Sequence, residues 1–519
     1  MRLRLVTREA QLEAAGVLPV SSPGLSDHLF DGLDVPLGIK PRNWLLEYEV
    51  HETVMLSTHV DSTRNLFSPQ VNILRDEVRD KTWCAVIEGG RLSIFEVTQG
   101  TVKSRVLAEH AAWRSHIVLN KFTGEPLPAW ITSAADDEAL WFAGRKVPTE
   151  ARRPDFPFVA LSQAPIGHVQ SEPPPFGLIT YKCREGGRLF ARRLSEGRVE
   201  GEVAIDAPEI VGGFSIAISG DQVLSVVDAV EDGRVTPMSC LSTDGGKTFG
   251  SFEPIEVPLD GSFRVVPASG PPVVDYGGFF HVPLTLTDGE HDLALNIAVD
   301  EAVVEAIRVP TSGSDAPQAV IEVFPRKPEA AAGPEARFGT GVTDGYGLIM
   351  VMLSAGRLFT SNSQAGGLHF PEKAHLNHEM PTIAAFAATE CYTSGRQPNT
   401  VSMDYMYLES DVALGGPQQP LSRELHFETW DMPLPVPQVT ATAQGSDVTV
   451  HIEHDANFMP GETSFDIDDS AVAITSVEIQ GDRDAVVGTD SEELGGKVIT
   501  FEVRSRFYHH LGTTTIAER

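Results

Sequence analysis

The sequence predicts an all-β protein: a six- or seven-bladed β-propeller followed by a small β-sandwich. Three observations carry the prediction. Short strand-like runs punctuated by Gly, Pro, Asp and Asn turns fill residues 43–430, no long 3.6-residue hydrophobic stripe interrupts them, and a proline-rich break separates them from a final alternating segment. So long a region would need implausibly long loops in a sandwich of seven to nine strands. Radial repetition of four-stranded blades, at roughly 50–60 residues each, fits the length better.

In chain order, residues 1–42 show little periodicity and include Ser21-Ser22-Pro23-Gly24, and they read as an extended arm. The propeller is assigned to 43–430. Its candidate strands include Trp44 to Val50, Thr82 to Ile87, Arg91 to Val97, Phe176 to Lys182, Arg188 to Arg193, Phe214 to Ile218, Val223 to Asp228, Gly278 to Thr287 and Ser402 to Glu409. Two hairpins share a Glu-Gly-Gly-Arg-Leu turn, at Glu88 to Leu92 and Glu185 to Leu189, and Gly356-Arg357-Leu358 repeats part of it. Glycine supplies the positive φ that such turns require, and each arginine opens a return strand facing solvent. Alternating prolines at Met432-Pro433-Leu434-Pro435-Val436-Pro437 stiffen a connector and mark a boundary. Residues 438–519 then alternate in the manner of a small β-sandwich, with 15 acidic and 5 basic side chains.

Composition narrows the function. The 519 residues hold 40 Lys and Arg against 72 Asp and Glu, a formal charge of -32. That field opposes phosphate backbones and anionic lipid, so neither nucleic acid nor membrane insertion is expected as a mode of action, and no run of 18 apolar residues offers a span. Cys84, Cys183, Cys240 and Cys391 are too far apart to form a CxxC metal pair and read as buried fillers. The start of the chain places Arg8, Glu9 and Glu13 where a signal peptide needs an apolar run, so classical secretion is not expected. The expected location is a virion, or the exterior after non-classical release, with a cytoplasmic stage before assembly.

The most specific local motif is Ser242-Thr243-Asp244-Gly245-Gly246-Lys247-Thr248-Phe249. Asp244 can accept hydrogen bonds from turn amides, Gly246 can take up the unusual dihedral, and Phe249 can pack beneath the turn. The segment resembles the Asp-box of sialidase-like (BNR-repeat) β-propellers. The resemblance implies that Ser242, Asp244, Gly246, Thr248 and Phe249 stabilise the turn between the outer two strands of a blade, away from any ligand face. A weaker echo, Ser361 to Phe370, lacks the Asp.

No motif fixes a reactive site. His375 and His378 beside Glu379 lack the helix that an HExxH metal site uses, so no metal and no cofactor are expected. Trp113 and Trp130 are the candidate glycan-stacking residues. The sialidase resemblance calls for an arginine triad and a tyrosine; Arg264, Arg337 and Arg396 with Tyr276, Tyr346 or Tyr405 are the available groups, and the family's Arg-Ile-Pro start is missing, Arg308-Val309-Pro310 being its nearest variant. By similarity to propeller polysaccharide lyases, His116, His168, Tyr181 and Arg184 form the candidate catalytic set, His and Tyr moving protons and Arg neutralising a uronate. The expectation that follows is a non-enzymatic structural or attachment protein of a larger assembly, a virion tail or surface component contacting neighbouring subunits and a surface glycan. The alternative is a propeller-type polysaccharide lyase or glycoside hydrolase.

Overall fold

The computed structural model describes residues 49–518 apart from 61–69, 256–263, 300–319, 326–334, 341–347, 364–374, 377–382, 410–423 and shorter stretches between them. The predicted arm therefore lies outside the described residues, as do His168, Tyr276, Tyr346, Cys391 and Arg396. The described regular structure is all β-strand, and no helix among these residues is long and apolar enough to cross a membrane.

Seven small antiparallel sheets of four or five strands form the blades. Their first strands are Ile73–Asp76, Ala112–Asn120, Pro154–Leu161, Ile210–Ser219, the short pair Arg264–Val265 and Val273–Val274, Glu335–Thr340 and Ile383–Ala388. Each sheet packs on the next, largely through these strands, and blade 7 packs back on blade 1, so the blades form a closed ring with their first strands innermost. The ring is sealed by chain order as well. Blade 7 takes its outer strand, Glu49–Ser57, from the N-terminal side and pairs it with Leu425–Pro433 from the far end of the propeller.

The core consists of layers between blades. One cluster joins Ile73, Cys84 and Val86 of blade 1 to Met406, Leu408 and Phe427 of blade 7. Another joins Ile131 and Leu140 of blade 2 to Val159, Ile179 and Tyr181 of blade 3, and a third joins Leu178 and Leu189 to Ile216 and Val227 of blade 4. Period-2 alternation supplies both faces of each sheet, because every blade interior touches a neighbour on each side. Cys84, Cys183 and Cys240 are buried free thiols, as expected; burial pushes the Cys240 thiol up to about 11.

The C-terminal strands form one seven-stranded sheet whose terminal strands, Thr463–Ile467 and Ile474–Ile479, approach each other, giving a nearly closed barrel or sandwich around Val450, Phe458, Val487 and Phe501. Asn399, in blade 7, ties the barrel to the propeller. Its backbone N–H donates to the His509 carbonyl at 2.6 Å, while its side-chain amide both donates to the Leu511 carbonyl (2.9 Å) and accepts from the Leu511 N–H (3.0 Å). The amide thus stands in for a strand partner along the His509–Leu511 edge. Its φ of 54° is one that Asn tolerates better than most residues.

Candidate functional site

The innermost strand of blade 2, Ala112–Asn120, carries Trp113, Arg114 and His116. His116 is 2% exposed. Its Nδ1 accepts from the Val71 N–H at 3.0 Å, and its Nε2 lies 2.9 Å from the Val159 carbonyl. One neighbour is a donor and the other an acceptor, so the ring is the neutral tautomer with its proton on Nε2. Burial holds its pKa down to about 3 against the upward effect of the Val159 bond, and Phe158 lies 4.0 Å away, ring to ring. The side chain therefore pins blade 2 to blade 3 and to the segment leading into blade 1.

His116 borders a cavity of about 220 Å³ on the propeller axis, lined by inner-strand residues of blades 1 to 4 and by residues of blades 5 and 7. Its wall is mainly aliphatic, with Ile73, Ile117, Leu161 and Ile216, and its polar members include Arg75, Lys121 and Gln163. The Gln163 amide is engaged, donating to the Leu119 carbonyl at 2.9 Å and accepting from the Lys121 N–H at 3.1 Å.

A polar cluster bridges blades 2 and 3 where their first strands begin. Asp155 forms an ion pair with the Arg114 Nε through Oδ1 and accepts a hydrogen bond from the Arg184 Nε on Oδ2, both at 3.0 Å. Glu138 receives Arg184 at 3.1 Å and Arg153 at 3.0 and 3.2 Å, and the Arg153 hydrogen bonds hold its carboxyl below the usual range. The Arg114 guanidinium lies 3.9 Å over the Phe156 ring, and that of Arg184 lies 5.2 Å over Trp113. Phe156 has φ 49°, an unusual conformation for an aromatic residue, at a register shift of its strand. The exposed member is Arg153, 48% accessible, so this part of the cluster faces solvent.

The Ser242–Phe249 turn connects the third and fourth strands of blade 4. Third strands run parallel to first strands, so this turn lies at the opposite end of the blades from the arginine cluster. Asp244 Oδ1 accepts from the Ser242 hydroxyl and from the Lys247 and Thr248 amides at 2.9–3.0 Å, and Oδ2 accepts from the Thr248 hydroxyl at 2.7 Å. These bonds, the Thr248 hydroxyl foremost, hold its carboxyl down to about 2. Gly246 has φ 76°, its N–H donates to the Ser242 hydroxyl at 3.0 Å, and a Cβ there would stand 2.6 Å from Leu178. Phe249 packs half-buried against the layer between blades 3 and 4.

The remaining sequence candidates are distributed rather than gathered. Trp130 is not a surface platform: it is 3% exposed and stacked on Trp141 at 5.8 Å. Tyr181 is fully buried beside Phe190, its hydroxyl without a hydrogen-bond partner among the described residues, so His116, Tyr181 and Arg184 occupy an axial, a core and a rim environment and share no bond. Tyr405 is buried against Trp430 and Arg264 is exposed. Sequence reasoning missed Arg153, Asp155 and Phe156. Their one local signal is an Arg-Pro-Asp-Phe run at 153–156, since their partners lie 15 to 42 residues away. Among the described residues no His, Cys, Asp and Glu group is placed to hold a metal.

Fold and site together define a seven-bladed propeller with a C-terminal barrel, an axial cavity and an arginine–aromatic cluster at one rim. No family model matches the chain and no curated protein matches it. Among solved structures it is similar to a PL25 polysaccharide lyase, an ulvan lyase bound to -[GlcA(1-4)Rha3S]-, at 9% identity, covering 72% of this chain and 95% of that one with TM-score 0.43. It is also similar to the Malassezia sympodialis allergen Mala s 1 (12%, 72% and 96%, TM-score 0.35) and to BBS1N in complex with ARL6DN (11%, 75% and 97%, TM-score 0.39).

Proposed function

We propose that this chain is a non-enzymatic structural or attachment subunit of a larger assembly, with a virion tail or surface as its setting. In this reading the propeller is a rigid scaffold that presents its rim to a neighbouring subunit or a surface glycan. The observation that carries its non-enzymatic part is His116. The histidine bordering the axial cavity has both ring nitrogens engaged between blades and stays neutral far below physiological pH, which withdraws it from proton transfer. Carboxylates elsewhere support the same reading: Asp155 and the partly buried Glu138 are held by arginines, and Glu428 accepts from the Tyr407 hydroxyl at 2.8 Å and the Trp430 Nε1 at 2.9 Å. In the same spirit the Ser242–Phe249 turn is a structural Asp-box.

A polysaccharide lyase or glycoside hydrolase is the second reading, favoured by one feature. Trp113, Arg153 and Arg184 place an aromatic ring and two guanidinium groups at one rim, a surface able to stack a sugar and pair with its carboxylate. The two readings separate in one assay. The full chain, incubated with sialosides and uronate polysaccharides, is expected to release neither new reducing ends nor unsaturated products. Product formation that disappears in Arg153→Ala or Arg184→Ala would overturn the non-enzymatic reading.

A further inference from the structure

Strand register carries two rows of side chains from the axis to the outside of the ring, on the facing surfaces of blades 1 and 2. In blade 1, Asn72, Ala85, Ile94 and Arg105 stand opposite one another from the innermost strand to the outermost. In blade 2, Ser115, Trp130, Trp141 and Lys146 do the same. Directly opposed residues of an antiparallel pair share a face. Ala85, Ile94 and Trp130, with Trp141 packed against them, belong to one apolar layer between the two blades, so the rows face each other. The Ser115 hydroxyl donates to Asn72 Oδ1 at 3.0 Å and sets them level.

Both rows end in cations. Arg105 and Lys146 are exposed, and so is Lys103, two residues from Arg105 and on the same face of its strand. Inward of Lys146 lies Trp141, half-buried and stacked on Trp130. The carboxylate opposite Lys103 is Glu96, which Lys81 holds at 3.0 Å. In a chain of net charge -32, this flank is a local reversal of sign beside an aromatic ring.

We propose that the flank between blades 1 and 2 binds an acidic polysaccharide, the exposed part of Trp141 stacking on a sugar ring while Lys103, Arg105 and Lys146 pair with its sulfate or carboxylate groups. One half-buried ring and three cations make a contact of sugar size, well short of the roughly 800 Å² per partner of a stable protein interface. Duplex nucleic acid carries a charge about every 1.7 Å and would meet the negative field of the whole chain, whereas an acidic polysaccharide separates its charges by whole sugar rings. The inference rests on the reading that the protein contacts a glycan, and adds a site on the flank of the ring to the one at its rim.

Binding of the full chain to immobilised dextran sulfate, polygalacturonate and uncharged dextran tests it. Saturable binding to one or both acidic polymers and none to dextran is expected, weakened at least tenfold by Arg105→Gln/Lys146→Gln and by raised salt. The control Arg145→Gln/Arg198→Gln removes the same charge from exposed positions elsewhere, Arg145 lying on the opposite face of its strand from Lys146, and is expected to bind as the wild type does. Equal weakening in the two double variants, or equal binding of single-stranded DNA, overturns the site. Binding that survives Arg105→Gln/Lys146→Gln and falls in Arg153→Ala overturns the flank site while leaving the glycan reading intact at the rim. Failure to bind either acidic polymer overturns it as well.

Discussion

At the residue scale, single polar side chains fix the geometry of the propeller, and two of them make its stability depend on pH. Asp244 has a carboxyl pKa of about 2 in the folded turn against an ordinary 3.8, so the stability it lends is complete above about 3.8 and disappears as pH falls toward 2. His116 works in a higher window. Its folded pKa of about 3 lies below the ordinary 6.5, so the unfolded chain takes up the proton first and stability falls from about pH 6.5 downward. Asp244→Ala leaves the Lys247 and Thr248 amides without their acceptor, and a cost of about 1–2 kcal/mol is expected. Gly246→Ala meets Leu178 and a disfavoured φ together, with an expected cost of about 1–3 kcal/mol. Equilibrium urea unfolding at neutral pH measures both, and wild-type stability against either substitution is the failing result.

At the scale of elements, hairpins were the most legible part of the sequence. The Glu-Gly-Gly-Arg-Leu turn at Glu88 joins strands Lys81–Glu88 and Arg91–Thr98 with Glu88 opposite Arg91, within a residue of expectation. The innermost strands were harder to read. Pro154–Leu161 contains two prolines and Asp155, and Ala112–Asn120 contains Arg114, Ser115 and His116, because these strands bond to neighbouring blades instead of filling a uniform core. A polar residue that looks like a candidate catalyst in one dimension is an interblade fastener in three. Two-residue strands such as Glu253–Pro254 leave no periodic signal at all.

The joint between blade 7 and the barrel is another element that no local pattern announces, since Asn399 and Leu511 are 112 residues apart. Asn399→Ala removes both side-chain bonds and is expected to loosen the barrel without unfolding either part. Hydrogen exchange at Leu511 should accelerate while the amides of the Gln222–Glu231 strand stay protected. Equal protection at Leu511 in the variant would contradict the joint as drawn.

At the scale of the whole molecule, closure organises everything else. The Glu49–Ser57 strand seals blade 7, the first strands converge on one axis, and the polar groups of that axis hold blade to blade. Charge and composition pointed away from nucleic acid and membranes, and the turn at Asp244 pointed to a propeller. Neither revealed that His116 is locked, because its partners Val71 and Val159 are backbone groups whose proximity depends on ring closure. Whether the axis is structural or a proton-transfer site can be read from the nitrogen chemical shifts of the His116 ring as pH is lowered. A locked ring stays neutral and protonated on Nε2 at every pH down to about 4, whereas titration near 6.5 with exchange between tautomers would show a ring free to transfer protons.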